Sequence, residues 1–308
     1  MSASGRKGVK AAIPFLLPSL IGALLFSVLP ILVSLFLSIT NWTGMSPVSL
    51  TRGFFQFVGK HFVGLENFKA ILSDSEFYKV LSHNLYFIVL YLPSMLLVSM
   101  ACALIINSPR KTANVYRVLY YIPVLTSWVA GALIWKWLLS PTYGPINNVL
   151  ALLGIEGPMW LQSEAWAMPS IVIASVWKDM GFYAMIILGG LKSIGVEYYE
   201  AANIDGAGKT QCFFRITLPL LSSVLFYVIM LSLINAFQLF PQVMVMTRDG
   251  NAGPNGATMV MVERIYKYAF KYGKMGYAAA YSWLLFAVIM IFTVIQKKGE
   301  KKWVNYES

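Results

Sequence analysis

The stretch EAANIDGAGKTQCFFRITLP (residues 200–219) is a polar and charged segment that lies between two hydrophobic runs. Each run is long enough to cross a bilayer, which takes about 20 apolar residues. Gly206 tolerates backbone conformations that other residues avoid, so we expect two short helices joined by a turn there. The segment is predicted to lie in the cytoplasm, where small Ala201 and Ala202 beside Glu200 would let a partner approach closely. The alternative is that these are ordinary cap and turn residues of a cytoplasmic connection.

The composition of the whole chain is typical of a membrane protein. Hydrophobic residues make up 58% and charged residues 12% of the 308 residues, whereas soluble domains carry about 25% charged residues. The net charge of +11 could indicate a nucleic-acid-binding protein, but the basic residues mostly flank apolar runs. Nucleic acid is therefore not an expected partner. Two cysteines, Cys102 and Cys212, cannot form a disulfide framework.

Six apolar stretches predict an all-α integral membrane protein, a bundle of about six transmembrane helices. They lie near residues 13–39, 84–106, 119–139, 167–188, 218–240 and 277–295. We therefore expect a cytoplasmic N-terminal segment at 1–12, a membrane domain at 13–296 and a cytoplasmic basic tail at 297–308. The segment 64–81, with aromatic and aliphatic residues three or four apart, predicts an amphipathic surface helix outside the bundle.

The distribution of basic residues predicts the orientation of the chain. Lys and Arg concentrate in cytoplasmic flanks of membrane proteins. Such residues occur at the N-terminus, in the second connection and in the tail, at Arg6, Lys7, Lys10, Arg110, Lys111, Arg117, Lys297, Lys298, Lys301 and Lys302. The connection 140–166 has no Lys or Arg and suits the outside. The connection before the sixth stretch is basic and disagrees, but the rule weakens in longer external segments. Both termini are expected in the cytoplasm.

Two apparent motifs do not indicate a site. The letters Gly208, Lys209 and Thr210 end a phosphate-binding loop sequence, but the required earlier glycine is replaced by Asn203. ATP is therefore not expected to bind this chain. The two histidines, His61 and His83, have no partner at metal-ligand spacing, so no metal site is predicted.

Several stretches resemble one family of membrane proteins. Glu200, Ala201 and Ala202, with Gly206, Ile216, Leu218 and Pro219, have the spacing of the EAA loop of permeases from binding-protein-dependent ABC importers. The stretches PFLLPSLIGALLFSVLPILVSLFLSITNW, GLENF, RVLYYIPVLTSWVAGALIWKWLLSPTYGPIN, LGGLKSIGVEYYEAA and MGYAAAYSWLLF resemble the carbohydrate-uptake branch of that family, which contains the maltose transporter permease. The resemblance covers nearly the whole chain.

The resemblance implies a role for this segment, taken as an EAA loop at 197–219. Its matching residues would couple the permease to ATPase subunits, and they are Glu200, Ala201, Ala202, Gly206, Ile216, Leu218 and Pro219. Pro219 also suits the first turn of the following membrane helix, where a missing N–H costs little.

The resemblance further implies a bacterial inner-membrane importer that works by alternating access. Its expected partners are a second permease, in a heterodimer, two ATPase subunits, an external sugar-binding protein, lipid and the sugar. ATP and Mg would be used by the ATPase subunits. This chain would be non-catalytic and would bind no cofactor.

Charged residues inside the fourth stretch are candidates for the substrate path, because charge in hydrocarbon is costly and usually faces a cavity or a partner. Lys178 and Asp179 are neighbours, and adjacent helical positions point about 100° apart, so they do not share one face. In one interpretation Asp179 accepts hydrogen bonds from sugar hydroxyls, and Trp177 or Tyr183 lies against a sugar ring. The alternative is a salt bridge between subunits.

The fifth stretch carries Ser232, Asn235 and Gln238 at three-residue spacing along one slowly rotating helix face. Buried amides can exchange hydrogen bonds with hydroxyls, and the resemblance places sugar contacts in this helix, with a small polar contact at Ser232. Hydrogen bonding between helices is the alternative for all three.

Two other classes of protein have similar spans. An intramembrane enzyme would need a catalytic constellation, and no Ser-His pair or histidine cluster lies inside the stretches. An ion-coupled secondary transporter would use intramembrane acids, of which Asp179 is almost the only candidate. Neither class explains residues 200–219.

Overall fold

The computed structural model of the chain describes residues 15–45, 54–108, 113–247 and 252–304. The predicted N-terminal segment 1–12 lies outside the described residues, and so do Arg110, Lys111 and Arg248.

Helices account for most of the described residues. In chain order they are α1 (Phe15–Ser38), α2 (Phe54–His61), α3 (Glu66–Ser73), α4 (Ser75–Ile106), α5 (Ala113–Leu125), α6 (Trp128–Leu138), α7 (Pro145–Leu152), α8 (Glu164–Ser193), α9 (Val196–Ile204), α10 (Lys209–Leu220), α11 (Ser222–Phe237), α12 (Pro241–Met246), α13 (Met261–Tyr266) and α14 (Met275–Trp303). Short 3₁₀ turns occur at Trp160–Gln162 and Pro254–Gly256.

The lengths of these helices confirm the predicted membrane fold. Within the described ranges, four helices are long and apolar enough to cross a membrane, namely α1, α4, α8 and α14. The pairs α5–α6 and α10–α11 raise the number to six if each pair forms one bent span. Each of the six predicted apolar stretches therefore has a helical counterpart.

A simple membrane span would be one straight helix, but the third apolar stretch is bent. The axes of α5 and α6 differ by 101°, and the break falls at Thr126 and Ser127. Ser127 leaves the helical conformation with ψ of 149°, and its hydroxyl accepts a hydrogen bond of 3.2 Å from the N–H of Ala130, in the first turn of α6. This is an N-cap, and it lies inside a run that looks uniformly apolar.

Two other boundaries also differ from the predictions. The fifth helical region begins at Lys209, well before residue 218, and bends by 66° between α10 and α11. The predicted amphipathic helix 64–81 is divided at Asp74, whose ψ of 124° is extended. Its second half belongs to the long helix α4.

The chain divides into two compact units. The first contains the residues up to Asp74 together with Ile265–Leu284. Inside it, the indole N–H of Trp283 donates to the hydroxyl of Ser34 at 3.2 Å. The amide of Asn67 donates to the backbone carbonyl of Thr40 at 2.8 Å.

The second unit, Ser75–Arg264 with Leu285–Ser308, is organised around α8. This helix packs against α4, α5 and α11, while α12 packs against α6. More than half of the residues in the most apolar part of α8 are buried, and the corresponding buried fractions of α4 and α14 are smaller. The candidate site described below lies wholly in this unit.

Gly181 sets how closely α5 approaches α8. A Cβ atom added to Gly181 would overlap the backbone carbonyl of Tyr120 and would lie 3.2 Å from Cγ2 of Val124. A backbone atom cannot move aside as a flexible side chain can, so the two helices require glycine here.

We therefore expect Gly181→Ala to lower the free energy of unfolding by about 1–3 kcal/mol, the usual cost of overpacking. The measurement is thermal or denaturant unfolding of the purified chain in detergent. Gly189→Ala is the matched control on the same helix, because nothing lies within 4 Å of its added Cβ. Equal stability of the two variants would contradict the close approach.

Candidate functional site

Polar side chains from several helices converge on a cavity of about 290 Å³ in the second unit. The helices α4, α6, α8, α11 and α12 and the segment between α11 and α12 contribute to its wall. The lining residues are Phe87, Tyr91, Trp128, Ser175, Asp179, Asn235, Ala236, Gln238, Pro241 and Gln242. Hydroxyl, amide, carboxylate and aromatic groups thus meet in a part of the chain that is otherwise strongly apolar.

Two hydrogen bonds fix the polar wall of this cavity. The hydroxyl of Tyr91 on α4 donates to Oδ2 of Asp179 on α8 at 2.8 Å. The amide of Asn235 on α11 donates to the hydroxyl of Tyr183 on α8 at 3.2 Å. Both tyrosines are buried, so these side chains are held in place and the remaining polar atoms of Asp179 and Asn235 can face the cavity.

Two further polar groups on the wall are buried and unpaired. Within the described residues, Oγ of Ser175 and Oε1 of Gln242 have no hydrogen-bond partner. A buried polar group without a partner costs free energy. Both residues line the cavity, so a polar ligand there would lie beside two groups that the protein itself leaves unpaired.

The six residues predicted for the substrate path divide into two groups. Asp179, Asn235 and Gln238 line the cavity together. The other three are not among its lining residues, and they are Trp177, Tyr183 and Ser232.

Each residue of the second group has a packing role that the structure shows. Trp177 meets the edge of Trp135 on α6, with ring centroids 5.8 Å apart. Tyr183 lies behind Asn235 and is only 1% exposed. The hydroxyl of Ser232 donates to the backbone carbonyl of Ile229 at 3.1 Å, and the residue is fully buried.

The aromatic groups of the cavity were not predicted from the sequence. Phe87, Tyr91 and Trp128 come from apolar runs rich in aromatic residues, where nothing marks those that face a cavity. Ser175 and Gln242 could have been found, because each lies four residues from a predicted position, Asp179 and Gln238 respectively.

Lys178 and Asp179 have separate partners, as their angular separation predicted. The ammonium group of Lys178 donates to the backbone carbonyl of Val124, at the end of α5, at 2.9 Å. It also lies 5.7 Å from the centroid of the Trp128 ring. Asp179 instead faces Tyr91 and the cavity.

A larger cavity of about 650 Å³ lies at the other end of the α6–α12 pair. Its wall includes Lys136 on α6 and Met246 on α12. Tyr143, Gly253 and Pro254, which lie outside these helices, also contribute. Lys136 is exposed, and its ammonium group lies 3.5 Å from the carbonyl of Val245. The two cavities share the helices α6 and α12 as walls.

The segment 200–219 has the predicted two-helix form. Gly206 lies between α9 and α10 with φ of +77°, a conformation that favours glycine. The N–H of Ala207 bonds to the carbonyl of Ala202 at 2.9 Å and closes the turn. Ala202 is buried, whereas Glu200 and Ala201 are exposed.

One face of α9 carries exposed apolar side chains on both sides of Glu200. Val196, Glu200 and Ile204 are four residues apart and share this face. Val196 is 66% exposed and Ile204 is 87% exposed. Beside this face, the hydroxyl of Tyr199 bonds to that of Thr217 at 3.0 Å and ties α9 to α10.

Pro219 does not begin a membrane helix. It lies in the last turn of α10, before the bend at Leu221. The preceding turn, Phe213–Thr217, is a π-helix, which adjusts the backbone next to a proline that has no N–H to donate. Ile216 and Leu218 are half-buried in the same region.

Comparison with known proteins identifies the family. Residues 70–303 match the family described as the binding-protein-dependent transport system inner membrane component. The chain belongs to that family. It is therefore a permease of the inner membrane that crosses the bilayer several times.

Individual relatives match over nearly the full length of the permease. It is 33% identical to the probable ABC transporter permease protein YesP of Bacillus subtilis, covering 100% of this chain and 96% of the relative. It is also 33% identical to the trehalose/maltose transport system permease protein MalF of Thermococcus litoralis, covering 92% and 91% respectively.

A solved structure supports the fold of the permease. The crystal structure of a bacterial alginate ABC transporter in complex with an alginate pentasaccharide-bound periplasmic protein contains a chain that matches with a TM-score of 0.79. The identity is 22%, and the match covers 96% of each chain.

The positions of Gln238 and Ser232 can be checked by thiol labelling of the permease. Gln238 is exposed to the cavity and Ser232 is fully buried, and thiol reactivity follows exposure. In a chain whose Cys102 and Cys212 are replaced by serine, we expect Gln238→Cys to react several-fold faster with a small water-soluble thiol reagent than Ser232→Cys. Comparable rates would show that the cavity has been assigned to the wrong residues.

Proposed function

We propose that this permease moves a sugar or an oligosaccharide across the bacterial inner membrane by alternating access, driven by ATPase subunits docked on its EAA loop. The observation that carries the proposal is the cavity that Asp179, Asn235 and Gln238 line together in a strongly apolar part of the chain. The sugar is supported by the family branch, because one relative is named for trehalose and maltose transport and a structural relative belongs to an alginate transporter.

The chemistry of the cavity suits a sugar. Sugars present many hydroxyl groups, which can donate to Asp179, Asn235 and Gln238 or accept from the amides. Trp128 and Phe87 offer apolar ring faces to the C–H groups of a sugar ring. The volume of about 290 Å³ lies at the low end of ordinary small-molecule pockets, about 300–1,000 Å³, which suits one part of an oligosaccharide at a time.

Membership of the family supports the remaining parts of the proposed complex. A second, related permease would pair with this chain, and an external binding protein would deliver the sugar. Both termini and the segment 197–219 would face the cytoplasm. The ATPase subunits would bind ATP and Mg, and this chain would carry no cofactor and catalyse no reaction.

The direct test is uptake by the complete complex reconstituted in vesicles, with trehalose, maltose and an alginate trisaccharide as the probes. Uptake of a probe that depends on both ATP and the binding protein would support the proposal. Uptake that follows an ion gradient without ATP would instead favour a secondary transporter, and a covalent product would favour an intramembrane enzyme.

We expect Asn235→Leu to raise the half-saturating sugar concentration, because it removes a neutral hydrogen bond worth about 0.5–1.5 kcal/mol. Asp179→Asn should raise it further if the carboxylate itself binds the sugar, since bonds to charged groups contribute about 1.5–3 kcal/mol. Initial uptake rates at several sugar concentrations measure both effects.

Ser232→Ala is the control for these variants, because Ser232 bonds within its own helix and should leave uptake unchanged. Assembly of each variant is checked by co-purification with the ATPase. Loss of assembly in Asn235→Leu, or normal half-saturation in both cavity variants, would mean that these polar groups only pack helices.

The exposed face of α9 is the proposed ATPase contact. Buried apolar residues at the centre of an interface usually contribute most of its affinity. Ile204 is 87% exposed in a helix predicted to lie in the cytoplasm, where an exposed apolar side chain is best explained by contact with a partner. Glu200, on the same face, would add a charged contact beside it.

We expect Ile204→Ser to weaken co-purification of the ATPase by about tenfold or more, the effect of an interface hot spot. Glu200→Lys should also weaken it by reversing a charge. Leu152→Ser is the matched control, because Leu152 on α7 is also 87% exposed and lies on a connection predicted to face outward. Equal effects at Ile204 and Leu152 would remove α9 from the interface.

A further inference from the structure

Lys178 is a buried cation that the proposed sugar site does not use. It is 6% exposed. Its ammonium group lies 2.9 Å from the carbonyl of Val124 and 5.7 Å from the centroid of the Trp128 ring. Val124 is the penultimate residue of α5, and Trp128 is the first residue of α6. A single side chain on α8 therefore contacts both sides of the break.

Both contacts have a physical reason. The last carbonyls of a helix have no partner inside the helix, and they form the negative end of its dipole, where a cation is favourable. Inside a membrane, water does not reach such a carbonyl, so Lys178 supplies the missing donor. The same positive charge is attracted to the face of the Trp128 ring.

Neighbouring packing keeps Lys178 in this position. Gly181 lies three residues further along α8, and so on the same helix face, where it allows the carbonyl of Tyr120 to approach. Tyr120 and Val124 are one turn apart on α5. The close approach at Gly181 therefore brings the end of α5 within reach of Lys178.

The contact has a consequence for the cavity, because Trp128 is part of its wall. Lys178 itself is not among the lining residues. Without the cation, both the angle at which α6 leaves the break and the position of the Trp128 ring would lose a restraint.

We propose that Lys178 is a positioning residue that fixes the bend between α5 and α6 and thereby holds Trp128 in the wall of the cavity. The effect on transport rests on the proposed function, since it assumes that this cavity binds the transported sugar. The effect on the cavity wall does not depend on that assumption.

The first experiment measures the cavity wall without any sugar. In the chain with Cys102 and Cys212 replaced by serine, the thiol of Gln238→Cys reports on access to the cavity. Adding Lys178→Met should raise its rate of reaction with a small water-soluble thiol reagent several-fold, because the Trp128 ring is released. Lys178→Arg should restore the original rate. Lys79→Met, which removes an exposed lysine from α4, is the control and should change nothing.

The second experiment measures uptake by the reconstituted complex with whichever probe sugar it transports. Lys178→Met should raise the half-saturating concentration by about tenfold, for the loss of a charge-assisted hydrogen bond and a cation–π contact. The maximal rate per assembled complex should change much less. Trp128→Leu should produce a similar rise, and the double variant should be no worse than Trp128→Leu alone.

These results separate positioning from a purely structural role. A structural lysine would reduce assembly or thermal stability and leave half-saturation unchanged, which would overturn the proposal. Additive effects of Lys178→Met and Trp128→Leu, or failure of Lys178→Arg to restore function, would overturn it as well. If Lys178→Met does not assemble, two milder variants replace it. Lys178→Gln keeps a hydrogen-bond donor, and Trp128→Leu keeps the bond between Lys178 and Val124. Thiol labelling and uptake can both be measured on these variants.

If no probe sugar is transported by the unmodified complex, the proposed function fails while thiol labelling still decides the position of Trp128. An unchanged labelling rate in Lys178→Met would then overturn the role of Lys178 on its own.

Discussion

The backbone of a membrane-spanning segment must satisfy its own hydrogen bonds, because hydrocarbon offers no partner. Every interruption of a helix in this permease therefore needs a local solution. At the break between α5 and α6, the hydroxyl of Thr126 donates to the carbonyl of Pro123 at 2.7 Å, Ser127 caps α6, and Lys178 donates to Val124. The cavity lies beside this break, because Trp128, the first residue of α6, is part of its wall.

Helix α8 connects these features because consecutive residues point in different directions, about 100° apart. Trp177 packs against Trp135 on α6, Lys178 reaches the end of α5, and Asp179 faces the cavity and Tyr91. Two charges that are adjacent in a helix do not share one face, as was expected for Lys178 and Asp179 from the sequence. In the structure they serve different neighbours, and each has its own hydrogen bond.

The sequence was sufficient for the features that depend on composition or on one residue's conformational freedom. The six apolar stretches and the turn at Gly206 were predicted correctly. Asp179, Asn235 and Gln238 line one cavity, and their contact with a sugar stays a prediction. The bend at Ser127 was missed because a cap residue inside an apolar run does not change its mean hydropathy. Ser232 was placed in the site because its spacing fits, but its hydroxyl bonds back to its own helix.

The aromatic wall could not be predicted for a related reason. Which of the many aromatic residues face a cavity depends on how α4, α6 and α8 are rotated against one another. Contacts between helices determine such packing, as where Gly181 on α8 meets the backbone of α5. A pattern within one helix does not contain this information. It appears only when the helices are packed.

The same packing suggests how force could pass from α9 to the cavity in the proposed mechanism. Tyr199 ties α9 to α10 through Thr217, and Thr217 accepts the N–H of Leu221 at the bend into α11. Leu221 is fully buried, and Gly190 on α8 packs against it so closely that a Cβ there would lie 2.8 Å from its side chain. The bend is thus held on one side by α8 and on the other by α9 and α10. Because Asn235 lies in the last turn of α11 and Gln238 directly follows that helix, a change of angle at Leu221 would move both relative to Asp179, which stays on α8. Movement of the exposed α9 face would then reach the proposed sugar contacts as a change in the angle of α11, with no need for a longer chain of small adjustments.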